Sequence, residues 1–352
     1  MLTPALRCAL LAASLALAAA GARAQDLHFS LVDYVPLWQN PALAGAYSGT
    51  VRVGALYRDQ WGAVLGESYK TPSAFVDAPI VMLGEKAWLG VGGHLITDRA
   101  GFARLTTTSI QAAASYHRVL AESRRGPERT VLSLGLAGGL LQRGADLSGE
   151  DLVLAEEQEV AFGGGGVGVG GSLDRRDDLS ASGLDLGFGV SLARVLDEDR
   201  TFRVGASARH LTTPGYGLLD SANVQRPTTF AAQAAYRQAL GTQLLLEPTA
   251  FLQTTRGGGV ETQVRATVGM RIGDEDDRIL RAGLGVRLPT RFVYPTIGYQ
   301  QGDLRVAASF DVSANGLQRV DGLANAFEVA VRYVFKVYKQ PKVEPALLCP
   351  QI

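Results

Sequence analysis

Sulfur is scarce in this chain, and so is anything long enough to span a membrane as a helix. Two cysteines stand among 352 residues. Cys8 lies in an N-terminal apolar run, so only Cys349 remains for the body of the protein, and one cysteine makes no internal disulfide. Cys8 also sits away from the expected cleavage point, which argues against a lipoprotein. The four histidines, His28, His94, His117 and His210, never fall at ligand spacing, so no metal or cofactor is expected. No Gly-x-Ser-x-Gly elbow or other nucleophile signature is present, and an enzyme is not expected. The run "GGGGVGVGG" (163–171) lacks both a strand-to-helix setting and a following Gly-Lys-Ser/Thr, which excludes a phosphate loop.

Past the first 24 residues no segment reaches the roughly 18 apolar residues of a membrane helix. Those first 24 read as a secretory signal. Arg7 supplies positive charge, "CALLAASLALAAA" (8–20) an apolar centre, and "ARA" (22–24) a cleavage site that would leave Gln25 first. Of 34 basic residues, Arg7 and Arg23 lie in this leader, leaving 32 against 34 acidic residues. That balance excludes the basic footprint of a nucleic-acid binder.

What the chain does have is glycine, 42 residues of it, and a strict period of two. In "VETQVRATVGMRI" (260–272), Val260, Val264, Ala266, Val268 and Met270 alternate with Glu261, Gln263, Arg265, Thr267 and Arg271. Successive strand side chains point to opposite faces, so one face is apolar and the other charged. The pattern recurs around Arg203 and Arg209, Arg281 and Arg287, Arg305, Arg332, and Arg52 and Arg58. Many segments run past the usual five or six residues of a soluble strand, long enough to cross a bilayer at a tilt. Export, length, alternation and glycine together predict an all-β protein, a transmembrane antiparallel β-barrel with its polar face inward.

Fourteen strands are expected, near 51–61, 71–83, 86–98, 104–119, 129–143, 181–194, 201–211, 226–239, 242–255, 260–272, 279–288, 292–301, 303–313 and 324–337. An even count returns both termini to the periplasm. The resulting division is a signal (1–24), a lead segment (25–50) that is periplasmic or lumen-inserted, a barrel (51–337) and a periplasmic tail (338–352). Aromatics near strand ends, including Tyr57, Trp61, Trp88, Tyr294 and Tyr333, fit interfacial girdles. The inward arginines Arg203, Arg209, Arg265, Arg271, Arg281, Arg287 and Arg332 are candidate lumen charges. Two readings stand: cross-lumen pairs with the fewer inward acids, or a positive lumen that takes an acidic segment or an anion.

The residues before the first strand carry a sharper signal. "QDLHFSLVDYVPLWQNPALAGAYSGTVRVGALYRDQW" presents Gln25, Asp26, Phe29, Ser30, Pro36, Leu37, Asn40, Pro41, Ala42, Ala44, Gly45, Tyr57, Arg58, Gln60 and Trp61. It resembles the mature N-terminus of the PorP/SprF family, outer-membrane proteins of the type IX secretion system of Bacteroidota. "HLTTP" (210–214), "EPTAFLQ" (247–253), "AFEVAVRYVF" (326–335) and the Cys349-Pro350 ending resemble the family too, although Ile352 stands where an aromatic is usual. The resemblance implies an outer-membrane location and a non-enzymatic role. Implied partners are other type IX secretion components at the periplasmic face, cargo carrying a C-terminal secretion domain or a surface adhesin, and outer-membrane lipid, and gliding motility is an implied setting. Candidate partner-binding residues are Asn40, Pro41, Ala42, Gly45, Arg58, Trp61, His210, Pro214 and Cys349. The other expectation from the residues alone is a passive porin for small solutes.

Overall fold

A computed structural model describes residues 27–60, 68–100, 105–123, 126–145, 179–215, 225–256, 258–273, 277–314 and 326–337. The expected signal, Trp61, the tail from residue 338 with Cys349, and the long 146–178 connection lie outside the described residues. Among the described residues no helix is long and apolar enough to cross a membrane. Strands dominate instead: β1 Val51–Gln60, β2 Tyr69–Met82, β3 Ala87–Ala100, β4 Leu105–Glu122 and β5 Arg129–Ala145. There follow β6 Leu179–Val195, β7 Arg200–Arg209, β8 Thr229–Leu240, β9 Leu244–Thr255 and β10 Val260–Arg271. The last four are β11 Arg278–Leu288, β12 Phe292–Gln301, β13 Leu304–Ser313 and β14 Ala326–Phe335.

Each strand pairs with its sequence neighbours, and β1 closes on β14 from Val51↔Phe335 to Gln60↔Ala326. The result is a closed antiparallel barrel, which leaves no unpaired edge to hydrocarbon. The alternation places its faces as expected. On β10, Val264, Ala266, Val268 and Met270 point outward, while Gln263, Arg265 and Thr267 are buried inside. Outward leucines, valines and isoleucines form the belt that lipid would cover.

Connections at one end are short. Residues 83–86, 241–243 and 302–303 join β2 to β3, β8 to β9 and β12 to β13. That turn end also receives the start of β1 and the finish of β14, and by the convention of outer-membrane barrels it faces the periplasm. The opposite, loop end holds the finish of β5, the start of β6, the finish of β7 and the start of β8, which the longest connections join. Two aromatics depart from the expected girdle. Trp88 and Tyr294 are buried, with 0% and 1% exposure, and point into the lumen. A period-two argument fixes only relative faces, and at these positions the inward face is itself packed against other residues.

The packing comes from residues 27–50. Phe29, Leu31, Val32, Tyr34, Val35 and Trp38 form a core with the inward Leu56, Ile96, Ala231, Phe251 and Ala330. The barrel is therefore lined by polar residues and also by an apolar patch that the chain's own lead segment covers.

Candidate functional site: the lead segment and the lumen wall

The lead segment has little regular structure, because proline and asparagine punctuate it. Val32–Tyr34 and Pro41–Leu43 are single 3-10 turns, and Pro36–Gln39 is one helical turn. Proline at the first position of a turn needs no N–H partner. Asn40 caps the second 3-10 turn, its Oδ1 accepting from the Ala42 amide at 2.9 Å. So short a segment cannot hold itself together, and its order comes from the wall.

Its N-terminal part is held near the loop end. Glu328, 0% exposed, accepts the Ser30 and Leu31 amides on its two oxygens, each at 2.8 Å. Ser30 Oγ donates to Asp311 Oδ1 at 2.5 Å and accepts from Arg287 Nη2 at 2.6 Å. Arg58 bridges the two acids, meeting Asp311 Oδ2 at 3.2 Å and Glu328 directly. Arg287 Nη1 reaches Asp311 Oδ2 at 3.1 Å. Two buried carboxylates thus face two buried guanidiniums, with the peptide backbone completing the shell. Charge-assisted bonds of this kind contribute about 1.5–3 kcal/mol each, and a buried pair is tolerated only when its remaining lone pairs are filled.

The central part sits in a groove on β5, β6 and β7. Asn40, fully buried, donates through Nδ2 to Val190 O at 3.0 Å and Ala206 O at 3.2 Å. Asn40 reaches these carbonyls because the wall beside them is glycine, at Gly189 and Gly205. A Cβ on Gly135 would fall 2.2 Å from the Ala42 nitrogen, and one on Gly189 would fall 1.9 Å from Asn40 Oδ1. Glycine is thus required for this close backbone approach.

The C-terminal part meets β2, β3 and β4 at the turn end. Gly45 takes a left-handed φ of 65°, and its amide donates to Asp77 Oδ2 at 2.7 Å. Arg52 holds the same carboxylate through Nε at 2.9 Å and Nη2 at 2.8 Å, while stacking on Tyr47, 4.5 Å from the ring centroid. Trp88 Nε1 donates to Gly45 O at 3.1 Å. His117 stacks on Trp88 with centroids 4.7 Å apart, and its Nε2 lies 2.8 Å from Ala44 O.

Further contacts tie the middle down. Arg209 covers the Trp38 ring at 4.0 Å and donates to Trp38 O at 3.1 Å. Arg265 pairs with Asp33 at 2.8 Å. Burial pushes the Asp33 carboxyl up, but the Arg265 guanidinium outweighs it, and Asp33 titrates below its ordinary range. Burial, then the Asp33 charge, pushes the Tyr34 phenol up. Burial, then the Asp77 charge, does the same for Tyr47.

The candidate residues fall into separate places. Asn40, Pro41, Ala42 and Gly45 lie against the wall, where their contacts are internal. Arg58 belongs to the Ser30 contact. His210 and Pro214 sit at the loop end of β7, where His210 Nδ1 meets the buried Asp185 at 2.8 Å and Pro214 packs against Gly183. Among the lumen arginines, Arg209, Arg265, Arg281, Arg287 and Arg332 are buried. Arg203 is part-buried, and Arg271 donates to Thr242 O at 2.6 Å.

Asp77, Asp185 and Ser115 are not among the sequence candidates, and His117 stands there only as a histidine without ligand spacing. Asp77 and Asp185 carry a recoverable signal, since each is an acid at an inward position of an alternating strand. Among the described residues no group of three or more His, Cys, Asp or Glu side chains could hold a metal ion.

A closed fourteen-stranded barrel with an apolar outer belt, whose lumen holds its own N-terminal segment on buried ion pairs, defines an outer-membrane β-barrel protein. The family described as "Type IX secretion system membrane protein PorP/SprF" matches residues 22–333. The chain belongs to the PorP/SprF family. No curated protein matches it. Among solved structures, the Ralstonia pickettii toluene transporter TbuX is 11% identical, with 86% of this chain and 94% of that one covered and a TM-score of 0.46. A Pseudomonas aeruginosa FadL homologue is 12% identical, with 86% and 94% covered and a TM-score of 0.41. CdiB from Acinetobacter baumannii is 10% identical, with 81% and 60% covered and a TM-score of 0.44. Likeness at this level says nothing about cargo or substrate.

Proposed function

We propose that this barrel supports secretion or surface anchoring of cargo that carries a C-terminal secretion domain, including adhesins of the kind used in gliding motility. Family membership supports the secretion role. The observation that carries an accessory role, over that of a solute channel, is the anchoring of residues 27–50 inside the lumen by Glu328, Asp311 and Asp77. A wall that spends its buried charges on its own chain is built to hold a fixed segment, where a solute channel needs a clear path. The periplasmic end is the natural contact for other secretion components, because both the lead segment and β14 finish there.

The test is deletion of the gene, with proteomics of the cell surface. Loss of one or a few C-terminal-domain proteins from the surface, restored by the wild-type gene, is expected. Normal display of all such proteins would remove the proposal. A passive porin would instead show up as slower uptake of small solutes in the deletion strain.

A further inference from the structure

The lumen's arginines are matched unevenly. Arg305 on β13 and Arg332 on β14 are register partners, and both are buried on the inward face. Like charges directly opposite each other across a strand pair destabilise it. Among the described residues neither has a carboxylate in ion-pair range. Arg305 Nε donates to the neutral Gln300 Oε1 at 2.7 Å. Arg332 lies over the Tyr34 ring, 5.8 Å from its centroid. The nearby acids are already engaged: Glu247 by Arg281 at 2.7 Å and Arg237 at 3.6 Å, and Asp33 by Arg265.

Both arginines border open space. Arg305 lines a part-open cleft with Arg281, Arg265, Thr249 and Thr267, and Arg332 lines an adjoining one that shares Asp33, Ala235 and Thr249 with it. Gly298, Ala307 and Ala235 keep the wall of the first clear of long side chains. Arg305 is next to the first residue of β13 and Arg332 lies in the last turn-ward stretch of β14, so both arginines sit toward the turn end.

We infer that these two adjoining clefts take side chains from an acidic segment of a protein partner, whose aspartate or glutamate carboxylates supply the counter-charge that Arg305 and Arg332 lack. The planar guanidinium fork matches a carboxylate with two parallel hydrogen bonds. The lead segment sets the pattern, since its Asp33 already docks on Arg265 from an inserted chain. Lipid headgroups are kept from the clefts by the barrel wall. The chain after β14 has the wrong charge for the task, with Lys339 and Lys342 against Glu344. The inference rests on the secretion reading only for which protein donates the segment.

The experiment uses the purified full-length barrel in detergent and fluorescein-labelled hexaglutamate, read by anisotropy. Saturable binding is expected, weakened by salt, with affinity lower by at least about tenfold in the R305Q/R332Q double variant. Heat-modifiable migration on a gel establishes that the variant is folded. Hexaglutamate, and not hexalysine, should also raise the melting temperature of the wild-type barrel, which keeps the inference testable if the double variant does not fold. Absence of saturable binding, equal affinity in the folded variant, or no thermal shift in wild type would overturn it. Displacement of the peptide by an equal concentration of inorganic phosphate would overturn it too, by making this a small-anion site. Because binding is read on isolated protein, its failure leaves the secretion phenotype standing, and failure of the phenotype leaves the site standing.

Discussion

The same three strands treat charge in opposite ways at their two ends. Toward the loop end, Arg287 of β11, Asp311 of β13 and Glu328 of β14 are joined by Arg58 and wrapped around Ser30, so that two acids meet two bases, with Glu261 also 3.8 Å from Arg287. Toward the turn end, Arg281, Arg305 and Arg332 occupy the same inward face of the same strands, with Glu247 the acid bound to Arg281. Even spacing along each strand keeps each pair on one face. The wall therefore has no general need for positive charge. It is balanced where the chain supplies its own ligand and unbalanced where space is left over. The balanced end is structure, and the unbalanced end is the part available to a partner.

This contrast can be broken from the balanced end first. Glu328→Gln should cost about 3–5 kcal/mol, because it weakens the compensation of buried Arg58, and the loss would be seen as a lower temperature for heat modification. A charge on the outer belt at Val264, Val268 or Leu284, as in Val268→Arg, should cost about 2–4 kcal/mol near the bilayer midplane without disturbing the lumen, and urea unfolding in lipid vesicles would measure it. Gly135→Val should cost about 1–3 kcal/mol by pushing Ala42 off the wall. It should also make residues 36–46 accessible to protease in vesicles. Asn40→Ala removes two hydrogen bonds and a turn cap, for about 1–2 kcal/mol in the same unfolding assay. At the unbalanced end the sign reverses. Arg305→Gln should leave stability unchanged or raise it slightly, because it removes a like-charge pair, and a clear loss of stability there would erase the contrast.

Much of the barrel was legible in the sequence. Alternation placed all fourteen strands, with β12 at 292–301 matching residue for residue, and it put Arg52, Arg265 and Arg287 inside. The ends were harder, since strands such as β5 and β6 run on to Ala145 and Leu179 past the apolar pattern. Beyond the membrane, pairing continues without any demand for an apolar face. The contacts of the lead segment were not legible. Asn40 and Gly45 stood out by turn chemistry, but what they touch depends on Gly135, Gly189 and Asp77, which are far away in sequence. Trp88 was misplaced because an aromatic at a strand end fits a girdle and a buried stack equally well. Leu56 looks like an error in an inward row of polar residues until Phe29, Trp38 and the apolar patch around them are in place.

Residues 27–50 are held as a fixed part of the lumen. Recordings of the full-length protein in planar bilayers test this most directly. No steady conductance is expected from wild type, and its appearance is expected in Gly135→Val. A steady open pore in most wild-type insertions would contradict it.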